Sequence, residues 1–245
     1  MSGHEIAGAT ALVTGASRGF GRAVATALHS AGATVVGVAR DRGSLEELRA
    51  GLGGSFIPVA ADAADPAVAG QLIDAYHPAI LVLNAGATPL PRPIQRHTWQ
   101  TFSRNWEVDV QHVFHWVREA LLAPLAPGST VITLSSGAAL RGSPLSGGYA
   151  GAKAAIRWLT AYAAEESGRD GLGIRFVSLL PQLTSATALG AVYTAAYAAR
   201  ADGQGQGLAG PTAEQVGEAV TGLVSGAGPD EDAYLLTAAG LRPLS

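Results

Sequence analysis

The sequence predicts an α/β fold: a doubly wound parallel sheet of seven strands with helices on both faces, forming a single domain over residues 1–245. Three observations predict it. Short runs that are apolar without interruption recur along the chain, as strands do when helices cover both faces of a parallel sheet. The segments between them carry helical spacing, as in Val24, Ala27 and Leu28, or Leu72, Ile73 and Tyr76. The first apolar run opens directly into a glycine-rich turn, and a helical pattern follows at once.

The seven runs are Ala11 to Val13, Thr34 to Val38, Ser55 to Ala60, Ile80 to Leu83, Thr130 to Leu134, Ile174 to Leu180 and Ala233 to Leu236. Two stretches interrupt the rhythm. Three prolines between Thr88 and Pro93 favour an irregular loop before a long helical pattern from about Thr98 to Leu122. The stretch from Thr184 to Gly210 is rich in small residues, carries Tyr193 and Tyr197, and ends in Gly203 to Gly207 with alternating glutamines. Its position after a strand makes it a candidate substrate lid.

Composition narrows the function classes. A net charge of −3 with no long basic run excludes the electrostatic footprint of a nucleic-acid binder. The absence of cysteine removes disulfides, thiolate nucleophiles and cysteine metal sites, and suits a reducing cytoplasm. Met1 to Gly8 lacks the pattern of a secretory signal, and no stretch is long and apolar enough to span a membrane, so a cytoplasmic protein is expected. With 48% hydrophobic and 14% charged residues, the surface has few charges to keep copies apart, which favours self-association.

The turn after the first strand reads Thr14-Gly15-Ala16-Ser17-Arg18-Gly19-Phe20-Gly21, and the helical pattern Arg22 to Ser30 follows. Glycines there permit a tight turn, close approach to a pyrophosphate and close helix–strand packing, while the helix start offers free N–H groups. After the second strand, Ala39 stands where a carboxylate would accept the ribose hydroxyls of NAD(H), and Arg40 follows. Arg18 and Arg40 are placed to clasp a 2′-phosphate, so NADP(H) is preferred over NAD(H). The plainer alternatives are solvated arginines, or a simple pair between Arg40 and Asp41. Asp62, after the third strand, is a candidate acceptor for the adenine amino group; as a helix N-cap it competes with Asp65, which precedes Pro66.

Tyr149 and Lys153 stand four residues apart at the start of an alanine-rich helical stretch, so they share one helical face. A nearby positive charge favours a tyrosine's phenolate, and Lys153 supplies one. Ser136, just past the fifth strand, is placed to hydrogen-bond the same substrate oxygen. Each signal alone has a plain structural explanation; their order and spacing together carry the argument.

That joint pattern resembles the short-chain dehydrogenase/reductase family. The family's glycine loop matches Thr14 to Gly21, its Asn-Ala-Gly signature matches Asn84-Ala85-Gly86, and its catalytic triplet matches Ser136, Tyr149 and Lys153. The resemblance implies a Rossmann-type sheet, hydride transfer between nicotinamide and a carbonyl or alcohol carbon, and homodimers or homotetramers. It implies that Tyr149 donates the proton on reduction, Lys153 lowers its pKa and holds the nicotinamide ribose, and Ser136 orients the carbonyl oxygen. Two departures stand out. Asp109 replaces the family's fourth catalytic residue, an asparagine, and so joins the candidate catalytic set. The family's Pro-Gly appears as Pro181-Gln182, with Thr184 and Thr187 as candidates for the threonine that touches the carboxamide.

The implied activity is NADP(H)-dependent interconversion of a small ketone and a secondary alcohol. An isomerase, epimerase, cyclase or lyase on the same fold, or a regulatory protein that keeps a dinucleotide, stands as the alternative. His112 and His115 lie three apart on the long helical pattern, but no third ligand is apparent and no metal is expected. Trp99, Trp106 and Trp116 on that same stretch read as core or subunit-interface residues.

Overall fold

The computed structural model describes residues 5–185, 188–199, 210–226 and 231–244. Its core is one eight-stranded sheet in the order β3-β2-β1-β4-β5-β6-β7-β8. The strands are β1 (Thr10–Thr14), β2 (Thr34–Ala39), β3 (Phe56–Ala60), β4 (Ile80–Leu83), β5 (Thr130–Leu134), β6 (Arg175–Pro181), β7 (Ala233–Thr237) and β8 (Gly240–Pro243). The first seven pair in parallel and coincide with the seven apolar runs. The eighth is a correction to the expected count: it pairs antiparallel to β7 through a tight hairpin at the sheet edge. Pro58 lies in β3, the opposite edge strand, where a missing ladder N–H is tolerated.

Helices α1 (Gly19–Ser30), α2 (Arg42–Leu52), α3 (Pro66–Tyr76), α4 (Trp99–Asn105), α5 (Gln111–Leu122), α6 (Ala138–Arg141), α7 (Gly148–Arg169), α8 (Ala188–Ala199) and α9 (Ala213–Val224) connect the strands. Neighbouring residues of each central strand serve opposite faces. Val13, Val35 and Ile80 pack with Val24, Leu28, Val216 and Val220 of α1 and α9. Leu12, Val36 and Leu81 pack with Val113, Trp116 and Ile156 of α5 and α7. This two-sided burial is the physical reason the strands read as unbroken apolar runs.

The long helical pattern from Thr98 is interrupted. A π-helical turn, Trp106–Val110, separates α4 from α5 and contains Asp109. The strand order reverses between β1 and β4, since β2 and β3 extend one way and β4 to β7 the other. A crevice therefore opens at the carboxyl ends of β1 and β4, where ligands of open α/β sheets bind. Among the described residues no helix is long and apolar enough to cross a membrane.

Candidate active site

The glycine loop hangs on β2, because Gly15 N and Ala16 N both donate to Val38 O, at 2.7 and 3.2 Å. Thr14 Oγ1 accepts from Asn84 N (2.9 Å) and Ala85 N (3.2 Å), and Asn84 Nδ2 donates to Thr14 O (3.0 Å) and Gly15 O (3.3 Å). Asn84 and Ala85 thus brace the loop from β4. A Cβ at Gly21 would strike the Gly15 carbonyl, so only glycine lets α1 approach this closely. Ser17 and Phe20 are half-buried within the loop, and Phe20 leans on the core.

The start of α1 is built to receive an anion. Arg18 occupies the N-cap without a side-chain cap, the first turn has no acidic residue, and open space lies over Gly19, whose φ is +56°. Uncapped N–H groups beside open space fit the pyrophosphate of a dinucleotide. Arg18 and Arg40 are both exposed at this end of the sheet. Asp41 is the N-cap of α2: its carboxylate accepts from Ser44 N (3.3 Å) and Ser44 Oγ (2.8 Å). Those bonds to Ser44, with Arg18 adding a smaller Coulombic share, hold its carboxyl below the usual aspartate value. The aspartate is committed to capping and not to Arg40. Asp62 Oδ1 accepts from Ala64 N (3.0 Å) in a local turn, while Asp65 caps α3 ahead of Pro66.

Tyr149 and Lys153 lie together near the carboxyl end of β5, and Ser136 stands two residues past the last residue of that strand. Ser135 Oγ donates to Lys153 O at 2.7 Å and pins α7 to the strand end. Ser136 Oγ accepts from Ala138 N at 3.2 Å, ahead of α6. Lys153 is buried, donates from Nζ to Leu134 O (3.1 Å), and lies 5.7 Å from the centroid of the Tyr149 ring. Its ammonium also meets Asp109 Oδ2 at 3.3 Å, with both side chains buried. Burial works against that ammonium, but the Asp109 carboxylate and Tyr149 outweigh it and hold its pKa above the usual 10.5.

Asp109 is only 1% exposed and well satisfied. Its Oδ1 accepts from Ala87 N at 2.7 Å, Asn105 Nδ2 lies 3.4 Å from each of its oxygens, and the same amide donates to Ala87 O at 3.0 Å. A Cβ at Gly86 would sit 2.9 Å from Asp109 Oδ2, which ties the Asn-Ala-Gly turn to this carboxylate. Asn105, Ala87 and Ser135 are supports that sequence reasoning missed; Asn105, one helical turn before Asp109, carried the only legible signal.

Pro181 ends β6, and its carbonyl accepts from Gly137 N at 2.9 Å; Thr184 is buried nearby in sequence. Thr187 and residues 200–209 of the anticipated lid lie outside the described residues. His112 is a core residue: its Nε2 meets Thr14 Oγ1 at 3.1 Å, and burial, with the Lys153 charge, pushes its pKa down to about 3. Trp116 is buried with Nε1 donating to Ala63 O (2.9 Å), whereas Trp99 is exposed.

A cleft of about 260 Å³ is lined by Pro93, Ile94, Gln95, Ser143, Pro144 and Gly147, the last standing two residues before Tyr149 in the chain. Helix α8 stands beside it. The rings of Tyr149 and Tyr193 lie 6.2 Å apart, those of Tyr193 and Tyr197 6.1 Å apart, and the Tyr197 hydroxyl hydrogen-bonds Ser143 Oγ.

A family model described as short chain dehydrogenase matches residues 9–198. L-xylulose reductase of Bos taurus is 32% identical over 177 residues, covering 71% of this chain and 72% of that protein. Carbonyl reductase [NADPH] 2 of Sus scrofa is 31% identical over 184 residues, covering 74% and 75%. Among solved structures, a short chain dehydrogenase from Burkholderia cenocepacia J2315 in complex with NADP superposes with a TM-score of 0.80 at 26% identity, over 96% of this chain and 98% of that one. A 3-ketoacyl-(acyl-carrier-protein) reductase from Brucella melitensis complexed with NADH gives 0.78 at 25% identity, over 94% and 96%.

Proposed function

Because the chain belongs to the short-chain dehydrogenase/reductase family, we propose that it is an NADP(H)-dependent oxidoreductase that interconverts a ketone and a secondary alcohol, with Tyr149 as acid and base. The observation that carries this reading is Lys153, buried and anchored to Leu134 O with its ammonium against Tyr149. When bound, the nicotinamide supplies or accepts the hydride at the carbonyl carbon. Tyr149 gives its hydroxyl proton to the carbonyl oxygen on reduction and takes it back on oxidation. Ser136 holds that oxygen, and Lys153 stabilises the phenolate left behind. Asp109 balances the lysine's charge. The relatives compared are reductases, so redox chemistry takes precedence over the isomerase, epimerase, cyclase or lyase alternative, and over a regulatory role. NADPH consumption across a ketone panel tests the reading, and inactivity with every carbonyl overturns it.

The cofactor cradle in this reading comprises Thr14, Gly15, Ser17 to Gly21, Arg40, Asp62 and Asn84 to Gly86, closed by Tyr149, Lys153, Pro181 and Thr184. Its preference for NADP(H) rests on Arg18 and Arg40, both exposed, with the neighbouring carboxylate of Asp41 engaged in capping α2. Arg40→Ala is expected to weaken NADPH binding about tenfold, as befits one exposed charge-assisted contact, and to leave NADH nearly unchanged. Fluorescence titration of both nucleotides measures this, and equal losses for the two would remove Arg40 from the 2′-phosphate site.

A homodimer or homotetramer is the expected working state. Phe114 of α5 and the stacked rings of Trp158 and Tyr162 on α7 are 47%, 58% and 56% exposed on two helices that pack side by side. Such a face suits a second copy of the chain. Light scattering that returned a monomer at micromolar concentration would refute it. A cytoplasmic location fits the cysteine-free composition.

A further inference from the structure

Of the buried side-chain atoms that meet no hydrogen-bond partner among the described residues, one belongs to the ring beside Tyr149. Tyr193, on the inner stripe of α8 with Tyr197, is 4% exposed, and its hydroxyl meets no hydrogen-bond partner among the described residues. Folded proteins seldom leave such a group unpaired, and a phenol buried this way stays protonated, so it is a donor awaiting an acceptor. Burial raises its pKa, and Tyr149 and Tyr197 add to the effect. The ring next to it is that of Tyr149, the proposed proton donor. An acceptor close to a reacting carbonyl would fall within reach of both hydroxyls.

Among the described residues, the neighbours of these rings are aromatic or neutral apart from Lys153. Tyr149, Tyr193 and Tyr197 form a run of tilted rings that ends on Ser143, which itself lines the cleft. No residue from Gly190 to Ala199 is charged, and none of the six cleft-lining residues is. Arg96 and Arg141 are exposed outside that lining, and Arg92 turns to the Arg96 carbonyl at 3.5 Å. The buried cation, Lys153, already faces Asp109. An anionic substrate would be desolvated without a counter-charge, and a polyhydroxylated one would leave most of its hydroxyls unpaired against these rings.

We propose that the substrate is an uncharged aryl or conjugated ketone with a second hydrogen-bond acceptor near its carbonyl, and that Tyr193 donates to that acceptor. Tyr193 is then a specificity-determining residue of the reductase site, and the inference rests on the reductase reading. A flat ring packs along Tyr193 and Tyr197, while the carbonyl oxygen meets Tyr149 and Ser136.

The test measures kcat/KM with NADPH for an aryl ketone bearing an ortho-methoxy group, the unsubstituted aryl ketone, an aliphatic cyclic ketone, a β-keto acid and a ketose. The methoxy ketone is expected to lead the unsubstituted one by about fivefold to tenfold, the usual range for one neutral hydrogen bond, with the others lower. Tyr193→Phe should narrow that lead to about twofold or less, and Tyr193→Leu should lower both aryl ketones towards the aliphatic one. NADPH titration shows whether each variant retains its fold and cofactor site. A methoxy preference that persists in Tyr193→Phe overturns the proposal, as does a β-keto acid or ketose as best substrate. Reduction of ketones without any preference sinks this inference alone, whereas reduction of no carbonyl sinks the reductase reading with it.

Discussion

Lys153→Met is expected to lower kcat/KM by about 10³-fold and to destabilise the fold by about 3 kcal/mol. Methionine preserves the stem's volume, so packing losses are small and both effects follow from the missing ammonium. Tyr149 loses the cation beside it, Leu134 O loses its 3.1 Å donor, and Asp109 is left as a buried carboxylate held, among the described residues, by Ala87 N and the Asn105 amide. Adding Asp109→Asn to the lysine variant removes the unpaired charge, so stability should largely return while activity does not. Asp109→Asn alone should keep much of the activity with a changed pH dependence. The groups facing Lys153 are Asp109, Tyr149 and His112, and His112 is neutral at working pH. Lys153 has its folded pKa raised above 10.5, so its stabilising share is complete below that pH and is lost as pH climbs through the folded value. Without Asp109 the burial penalty remains unopposed by the carboxylate, and the alkaline loss of stability and rate should begin at lower pH. Urea denaturation and initial rates across pH for the three variants measure this cycle. A single lysine variant within tenfold of the parent rate would remove the ammonium from the mechanism.

The parts of this architecture that the sequence made legible are those whose cause is local. Continuous apolar runs follow from two-sided burial, so seven strands could be read with boundaries shifted by a residue or two. The eighth, Gly240–Pro243, is short, mostly exposed and mixed in polarity, and it exists as a strand only because β7 offers an edge to pair with. Asp65 before Pro66 could be recognised as a cap, since proline at the first helical position is a local signal. Asp41 was harder: the same carboxylate can pair with Arg40 or cap α2, and only the backbone direction after β2 decides.

The candidate site divides in the same way. Residue type, spacing and the family resemblance singled out Ser136, Tyr149 and Lys153, but gave no role to Ser135. The chain turns Ser135 towards the α7 backbone as it leaves β5, and its neighbour Ser136 meets the start of α6 instead. The resemblance set Asp109 beside Lys153, but a π turn adds a residue within one helical turn, which a 3.6-residue period cannot register, so the turn and the burial of this carboxylate emerged only in three dimensions. The unpaired hydroxyl of Tyr193 is likewise a fact about its surroundings, because a tyrosine in an alanine-rich helix reads the same whether or not a partner waits for it.

Tyr149→Phe is expected to reduce kcat by about 10³-fold while the Kd for NADPH stays within about twofold of the parent. Phenylalanine keeps the ring, so the contact with Tyr193 and the 5.7 Å approach of Lys153 Nζ can persist, and only the hydroxyl is removed. Ketone reduction then lacks its proton donor at the oxygen that Ser136 holds, and water must supply what the phenol supplied. Lys153→Met should disturb cofactor binding and chemistry together, because the proposed mechanism has the lysine both support the phenolate and hold the nicotinamide ribose. The two variants therefore separate the roles: a loss confined to kcat identifies proton transfer, and a shared loss in kcat and nucleotide affinity identifies the lysine's double duty. Stopped-flow measurement of hydride transfer at saturating NADPH, set beside equilibrium titration, reads both quantities. A Tyr149→Phe enzyme that reduces its ketone within tenfold of the parent rate would move the proton to another group, and Tyr193, the neighbouring phenol, would be the first to examine.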